Sequence, residues 1–318
     1  MVRGSKSFVL SLVSMGLVIS AAQSDCGSIP FRSPMDLWGQ VLMQAAPNGG
    51  KDVQFDPMDV VVYEPGQKGI ILWNGQEEIL LLSTDIRTSQ PSYLLEVIPM
   101  PSEPQVELGD FATFQKMQRL LIDKTMWRVA SGGGVPGAEA PASAAQVTFH
   151  QQMGAHDVTV VNVLDQERFV DWVNVYFVEK KAENPKIDPK FAQVIRNYLD
   201  RGMQWFVFDS LRVDESLQSK QPVAYRFKTG SVYYPLEISS RETGKTLVDL
   251  VIVTPTPLGK LPKYQFAARR ESDTQITAAE LRTVHEGWPE FMGAESFALQ
   301  RVRLSGRLEK MTVDFIVR

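Results

Sequence analysis

The segment IILWNGQEEILLL, residues 70–82, places two apolar runs on either side of an Asn-Gly pair. Asn74 and Gly75 suit the centre of a type I′ turn, because both central residues of that turn need a positive φ. A slightly longer loop over residues 74–77 is also compatible with this segment. In either case the two runs are predicted to pair as an antiparallel hairpin.

Strand signals recur on both sides of this hairpin. Apolar and β-branched runs bounded by turn residues lie at residues 59–63, 93–98, 157–164, 205–208 and 247–254. Two more hairpins are predicted, one joining 223–227 to 232–238 and one joining 297–304 to 311–317. The pattern predicts an α+β fold of two lobes, with mostly antiparallel sheets and a few packed helices.

Four helices have recognisable starts. Asp110, Asp165 and Asp188 each precede apolar residues at helical spacing, as N-cap residues do. The helix after Asp188 carries proline at its first position and is followed by Gly202, a typical helix end. Residues 277–280 form a capping box that opens a short helix.

The segment Ser131–Gln146 is the predicted boundary between the two lobes. It is rich in Gly, Ala, Pro and Ser and contains almost no large apolar residue, so it is predicted to be a flexible linker. A single core usually stops growing at about 250–300 residues, and this chain has 318. We therefore expect an N-terminal α+β lobe over 25–130 and a C-terminal α+β lobe over 147–318.

The first 24 residues have the order of a secretory signal peptide. Arg3 and Lys6 precede an apolar run over residues 8–22, and small and polar residues follow it. The run is shorter than the roughly 20 residues that a membrane-spanning helix needs, although a retained N-terminal anchor is the alternative. Cleavage is expected near Ser24, which predicts a periplasmic or extracellular protein with no transmembrane segment in the mature chain.

Charge and cysteine content exclude several classes of protein. The formal net charge is −4, and it becomes −6 without residues 1–24, whereas nucleic-acid binders carry basic surfaces. Cys26 is the only cysteine, which excludes an intramolecular disulfide and a multi-cysteine metal site. Asp25 precedes it, which argues against lipid attachment directly after the cleavage point. Cys26 is interpreted as an unpaired bystander, as a relic of a paired framework, or as the link of a disulfide-bonded dimer.

Several motifs occur in a characteristic order. Residues 97–104 read VIPMPSEP and residues 154–160 read GAHDVTV, and further matches lie at 26–27, 172, 198–208, 221–222, 299–302 and 311–314. Taken together they resemble DUF2330, a family of exported bacterial proteins of unknown function. The resemblance spans nearly the whole mature chain. It implies export and a shared fold, and it implies no particular chemistry.

His150, His156 and Asp157 are the candidate metal ligands. Imidazole nitrogens and a carboxylate are zinc ligands, and a distant acid would complete such a site. The two histidines are six positions apart, which does not fit the i, i+4 spacing of a helical zinc pair. A histidine at the surface or at a strand start is the alternative. His285 is expected to lie at the C-terminus of a short helix.

Trp38, Trp127 and Trp288 are the candidate partner-binding residues, because each lies near the end of a predicted element. An exposed tryptophan can anchor a partner or stack on a ligand. Burial in the core is the alternative, since tryptophan is highly buried on average.

Other motifs have ordinary explanations. Lys228-Thr229-Gly230 matches one motif of the penicillin-interacting serine enzymes, but the accompanying Ser-x-x-Lys and Ser-Asp-Asn motifs are missing. A turn is the better interpretation. The acids Asp209, Asp214 and Glu215 are interpreted as solvated loop residues, because they lack the frame of a calcium loop.

Two hypotheses of function follow. The first is an exported, non-enzymatic binding or structural protein of the bacterial envelope, whose partner is an unknown envelope protein or ligand. The second is an unrecognised hydrolase-like enzyme with a site in a cleft between the lobes, for which the sequence names no catalytic residue. Neither hypothesis requires a cofactor or a nucleic acid.

Overall fold

A computed structural model describes residues 27–33, 57–60, 62–131, 151–153, 157–163, 165–241 and 244–318. Its strands are β1 Ser28–Phe31, β2 Val62–Trp73, β3 Glu77–Thr88, β4 Ser92–Met100, β5 Gln105–Leu108, β6 Gln151–Met153, β7 Asp157–Asn162, β8 Trp205–Val213, β9 Gln218–Lys220, β10 Val223–Lys228, β11 Val232–Tyr234, β12 Lys245–Thr254, β13 Ala267–Thr277, β14 Ser296–Arg307 and β15 Phe315–Val317. Its α-helices are α1 Phe111–Ser131, α2 Gln166–Glu179, α3 Pro189–Asp200, α4 Ala278–Val284 and α5 Trp288–Met292. The α+β class predicted from the sequence is confirmed.

The hairpin of residues 70–82 lies at the centre of a large sheet. Strands β2 and β3 pair as predicted, with Trp73 opposite Glu78. The turn is the longer alternative, because the Asn74 N–H donates to the Glu77 carbonyl at 3.1 Å and Gly75 has a φ of 100°. The sheet order is β13-β14-β12-β2-β3-β10-β5, with β9 also paired to β3 and β6 to β9. The β2–β12 and β6–β9 pairs are parallel.

A smaller sheet has the order β1-β4-β8-β7 and is antiparallel throughout. Alternation along its strands gives it two apolar faces. Phe206 and Phe208 of β8 pack with helices α2 and α3, while Val207 between them belongs to the core shared with the large sheet.

The large sheet is also covered on both faces. Ile71 points into the core shared with the small sheet, whereas its neighbours Ile70 and Leu72 pack with helices α1, α4 and α5. The described residues therefore stack as helices, small sheet, large sheet and helices. This arrangement explains why β2 and β3 are apolar at successive positions instead of alternating.

The predicted helix starts are confirmed. The Asp165 and Asp188 side chains accept hydrogen bonds from backbone N–H groups in the first turns of α2 and α3. The Asp110 carboxylate accepts from the Thr113 N–H at 2.6 Å at the start of α1. Residues 277–280 form the complete capping box at the start of α4.

The two other predicted hairpins are wrong. Strand β10 pairs with β3 and β5, and β11 pairs with β15, so residues 223–238 do not form one hairpin. Strand β14 is flanked by β12 and β13, which leaves no edge of it open to β15. The predicted turn at Thr229 instead packs on the first hairpin, since its N–H donates to the Gln76 carbonyl at 2.9 Å and its carbonyl accepts from Trp73 Nε1 at 3.1 Å.

Both sheets combine strands from the two predicted lobes. In the large sheet β2 pairs with β12, and in the small sheet β4 pairs with β8. Each of these pairs joins a strand before residue 131 to a strand after residue 146. The cores therefore do not follow the predicted lobe division, while the linker itself, from residue 132 onward, lies outside the described residues.

Candidate functional site

The candidate metal ligands are not brought together in the described part of the chain. His150 and His156 lie outside the described residues, so a site that uses them stays a prediction. Asp157, at the start of β7, is exposed, and its Oδ2 accepts a hydrogen bond from Lys180 Nζ at 2.7 Å. Among the described residues, no group of three or more His, Cys, Asp or Glu side chains is placed to hold a metal ion.

Of the three candidate tryptophans, only the side chain of Trp288 falls within the described part of the structure. Trp38 lies outside the described residues, and Trp127 falls in the part of α1 whose side chains are not described. Trp288 is buried, with 5% of its surface exposed, in the core between the large sheet and its covering helices. Its ring stacks on that of His285, with centroids 5.1 Å apart and planes 23° apart.

Trp288 lines a cavity of about 240 Å³, which we call the Trp288 cavity. Its walls come from β3, β5, β10, the start of α1 and the corner between α4 and α5. The lining residues are Ile79, Leu81, Gln105, Glu107, Leu108, Gly109, Asp110, Thr113, Ala224, Arg226, His285, Gly287, Trp288 and Phe291. The volume suits a small organic ligand or a single large side chain.

Local structure fixes the aromatic side of this cavity. His285 is the C-cap of α4, as its predicted position at the helix end requires, and its Nδ1 accepts a hydrogen bond from the Gly287 N–H at 3.3 Å. This bond holds the short corner that leads into α5. Asn74 of the first hairpin donates from Nδ2 to the Phe291 carbonyl at 3.0 Å, so the hairpin turn anchors α5.

The charges of the Trp288 cavity are unbalanced. Arg226 is engaged by Glu77, with Nη2 and Oε2 2.6 Å apart, and its guanidinium lies 5.1 Å from the centroid of the Phe291 ring. Glu107 and Asp110 form no ion pair with any described residue. The cavity therefore offers carboxylates and aromatic rings, while its one arginine is already paired.

A second polar site is a cluster of buried charges, which we call the Lys220 cluster. Lys220 Nζ donates a hydrogen bond to Glu96 Oε2 and lies 3.0 Å from Asp209 Oδ2. The side chains of Lys220, Glu96 and Asp209 are 2%, 1% and 0% exposed. Burial acts to lower the pKa of Lys220, but the two carboxylates outweigh it and hold that pKa well above the usual lysine value.

Sequence reasoning missed the Lys220 cluster. Asp209 lies within β8 and is fully buried, so its interpretation as a solvated loop residue is wrong. Three charged residues from three strands carry no common spacing, and no local motif could have found them. The one available signal was a charged residue inside an apolar run, at Glu96 and at Asp209.

A third polar site joins α3 to the C-terminal strand. Asp314 Oδ1 accepts hydrogen bonds from the Tyr198 hydroxyl at 2.7 Å and from the Leu236 and Glu237 N–H groups at 3.0 Å each. Burial raises the pKa of Asp314 to about 6, although these hydrogen bonds act against the shift. The site is enclosed, and its geometry points to a structural role.

A family model supports the resemblance drawn from the motifs. The model described as "uncharacterized protein conserved in bacteria (DUF2330)" matches residues 50–292. This chain belongs to the DUF2330 family. The matched range contains all the residues that line the Trp288 cavity and all three members of the Lys220 cluster.

Other comparisons add no relative to this DUF2330 protein. No curated protein and no solved structure matches the chain. Among the described helices, none is long and apolar enough to cross a membrane.

Proposed function

We propose that this DUF2330 protein is exported and that it binds a small organic cation in the Trp288 cavity without transforming it. The cavity carries the proposal because it combines an aromatic wall with two carboxylates that have no cationic partner among the described residues. Aromatic faces attract cations through their quadrupole, and a nearby carboxylate adds Coulombic attraction. Arg226 does not cancel this attraction, because Glu77 already neutralises it.

The binding proposal is tested with benzyltrimethylammonium as the probe and uncharged benzyl alcohol as its comparison. We expect titration calorimetry to detect the cation and to show weaker binding of the alcohol. Glu107→Gln should weaken cation binding by roughly five-fold, since one partly exposed charge contact is worth about 1 kcal/mol. Glu103→Gln is the matched control, because Glu103 is exposed and does not line the cavity.

Equal affinity for the cation and the alcohol would contradict a cation site. Equal loss of cation affinity in Glu107→Gln and Glu103→Gln would contradict it as well. Absence of binding by either probe would contradict the cavity as a ligand site of this class.

Export is the other half of the proposal, and the order of Arg3, Lys6, the apolar run over 8–22 and Ser24 supports it. Expression of the full chain in a bacterial host should give a processed protein in the periplasmic fraction, with its N-terminus near Asp25. Retention of residues 1–24 in a cytoplasmic product would contradict export. The same purified protein, run on a non-reducing gel, tests whether Cys26, which lies outside the described residues, links a dimer or is an unpaired bystander.

A further inference from the structure

The Lys220 cluster is a set of reactive groups that the proposed binding function does not use. An amine and two carboxyl groups meet in it with almost no exposure to solvent. Lys220 Nζ donates to Glu96 and lies 3.0 Å from Asp209 Oδ2. These contacts place the Lys220 amine against the oxygen atoms of two potential acyl groups, and a reaction between groups already held together avoids the entropy cost of bringing them into contact.

The three side chains come from both sheets. Glu96 of β4 and Asp209 of β8 face each other as cross-strand partners in the small sheet. Lys220 ends β9, and β9 pairs with β3 of the large sheet. A covalent bond from Lys220 to either carboxyl group would therefore tie the two sheets together.

The burial of the cluster favours condensation. The three groups together carry an ammonium and two carboxylates, and taking ionised groups out of water is costly even where they are paired. Uptake of one proton by Asp209 makes the cluster neutral as a whole, but an ammonium and a carboxylate remain buried. Even a buried ion pair keeps a large desolvation cost. An amide removes both of these charges and releases one water to the solvent.

We propose that Lys220 and Asp209 form an intramolecular amide bond, with Glu96 as the proton carrier. Glu96 takes a proton from the Lys220 ammonium, and the neutral Nζ attacks Cγ of the protonated Asp209 carboxyl. Glu96 then gives its proton to the departing hydroxyl and accepts the second proton released by Nζ. The Nζ–Cγ bond forms, one Cγ–O bond breaks and one water leaves. Glu96 ends as a neutral acid, and no group is oxidised or reduced.

The chain contains its own comparison for this reaction. Lys68 Nζ lies 2.5 Å from Asp85 Oδ2, but the two side chains are 14% and 9% exposed. Water reaches this pair, and a hydrated ammonium and carboxylate are stable against condensation. Lys68 is therefore expected to stay unlinked, although its Nζ lies closer to Asp85 than Lys220 Nζ lies to Asp209.

The test is the mass of the full chain, purified after expression and measured under denaturing conditions. The mass should be lower than that of its sequence by one water, whichever N-terminus the protein carries. Peptide mapping should join the peptide that contains Lys220 to the one that contains Asp209. An unshifted mass overturns the proposal, and a link from Lys220 to Glu96 overturns the roles given to the two acids.

Variants separate the chemistry from folding. Glu96→Gln keeps the size of the side chain but cannot carry the proton, so the variant should retain the full mass of its sequence. Lys220→Arg keeps the charge and should also show no water loss, while Lys68→Arg should lose one water as the wild type does. Water loss in Lys220→Arg would place the modification elsewhere and overturn the assignment. The wild-type mass decides the question even if a variant fails to fold.

Discussion

Asp314 shows at the scale of a residue how one carboxyl group holds three segments together. It accepts hydrogen bonds from Tyr198 of α3 and from the backbone at Leu236 and Glu237, while it belongs to the turn before β15. Arg201 contacts the other oxygen of this carboxyl group, with its Nη2 3.5 Å from Asp314 Oδ2. A buried acid with these partners must affect stability in a way that depends on pH.

The pH dependence has a definite sign. An aspartate in the unfolded chain has a pKa of about 3.9, and burial raises that of Asp314 to about 6 in the folded state. Between these values the folded state binds more protons, so this group makes the free energy of unfolding fall as pH rises from about 4 to about 6. Asp314→Asn lacks this titration. Its free energy of unfolding, compared with that of wild type at the same pH, should therefore rise by on the order of 2–3 kcal/mol between pH 4 and pH 6.

Urea unfolding of both proteins at several pH values from 4 to 7 measures this difference. The comparison removes groups that titrate alike in the two proteins. A difference that stays constant with pH would show that Asp314 titrates alike in the folded and unfolded chains.

Residues with local partners were predictable and residues with distant partners were not. Asp165, Asp188 and Thr277 cap helices that begin within three residues of them, and the sequence identified all three. Lys220 depends on Glu96 and Asp209, which other strands bring to it. Trp288 was singled out for its position at an element end, but only the packing of α5 shows that it lines a cavity.

At the scale of the element, local turn chemistry succeeded where the strand partner was the next strand along the chain. The Asn74-Gly75 turn specified the β2–β3 hairpin, because residues 70–73 and 79–82 had no better partner nearby. The same logic failed at Thr229. There β10 pairs with β3 on one edge and with β5 on the other, and β11 pairs with the C-terminal strand β15.

The capping box of α4 makes a prediction at this scale. Thr277 accepts from the Glu280 N–H, and Glu280 accepts from the Thr277 N–H. Thr277→Ala should lower the free energy of unfolding by about 1 kcal/mol, as loss of an N-cap usually does. Thr283→Ala in the same helix is the control, since Thr283 is exposed and its hydroxyl bonds, among the described residues, only to the carbonyl of Glu280.

Chemical denaturation of the two variants checks this expectation. If both variants lost the same free energy of unfolding, the stabilisation of α4 would come from threonine side chains in general and not from the N-cap.

At the scale of the whole molecule, the two sheets bind the two halves of the chain together. The large sheet contains β2, β3 and β5 from before residue 131, and β10, β12, β13 and β14 from after residue 146. The small sheet likewise combines β1 and β4 with β7 and β8. The pattern of strand and helix signals predicted the α+β class, and composition predicted a boundary. It could not show that strands pair across that boundary, because pairing depends on contacts between remote residues.

This interleaving predicts the behaviour of fragments. A fragment over residues 147–318 lacks the strands that lie between β12 and β10 in the large sheet, so it should not fold alone. Circular dichroism with thermal melting should show no cooperative transition for it or for residues 25–130. Mixing the two fragments should restore a cooperative transition. A cooperative transition in either isolated fragment would show that it holds a core of its own.

The parallel pair of β2 and β12 has a consequence for the timing of folding. It joins residues 66–72 to residues 247–253, so the centre of the large sheet cannot close until most of the chain has been synthesised. Contacts between such distant positions make folding slow. The proposed export would benefit from this delay, because a chain whose sheets close late stays unfolded while it passes through a narrow translocation channel.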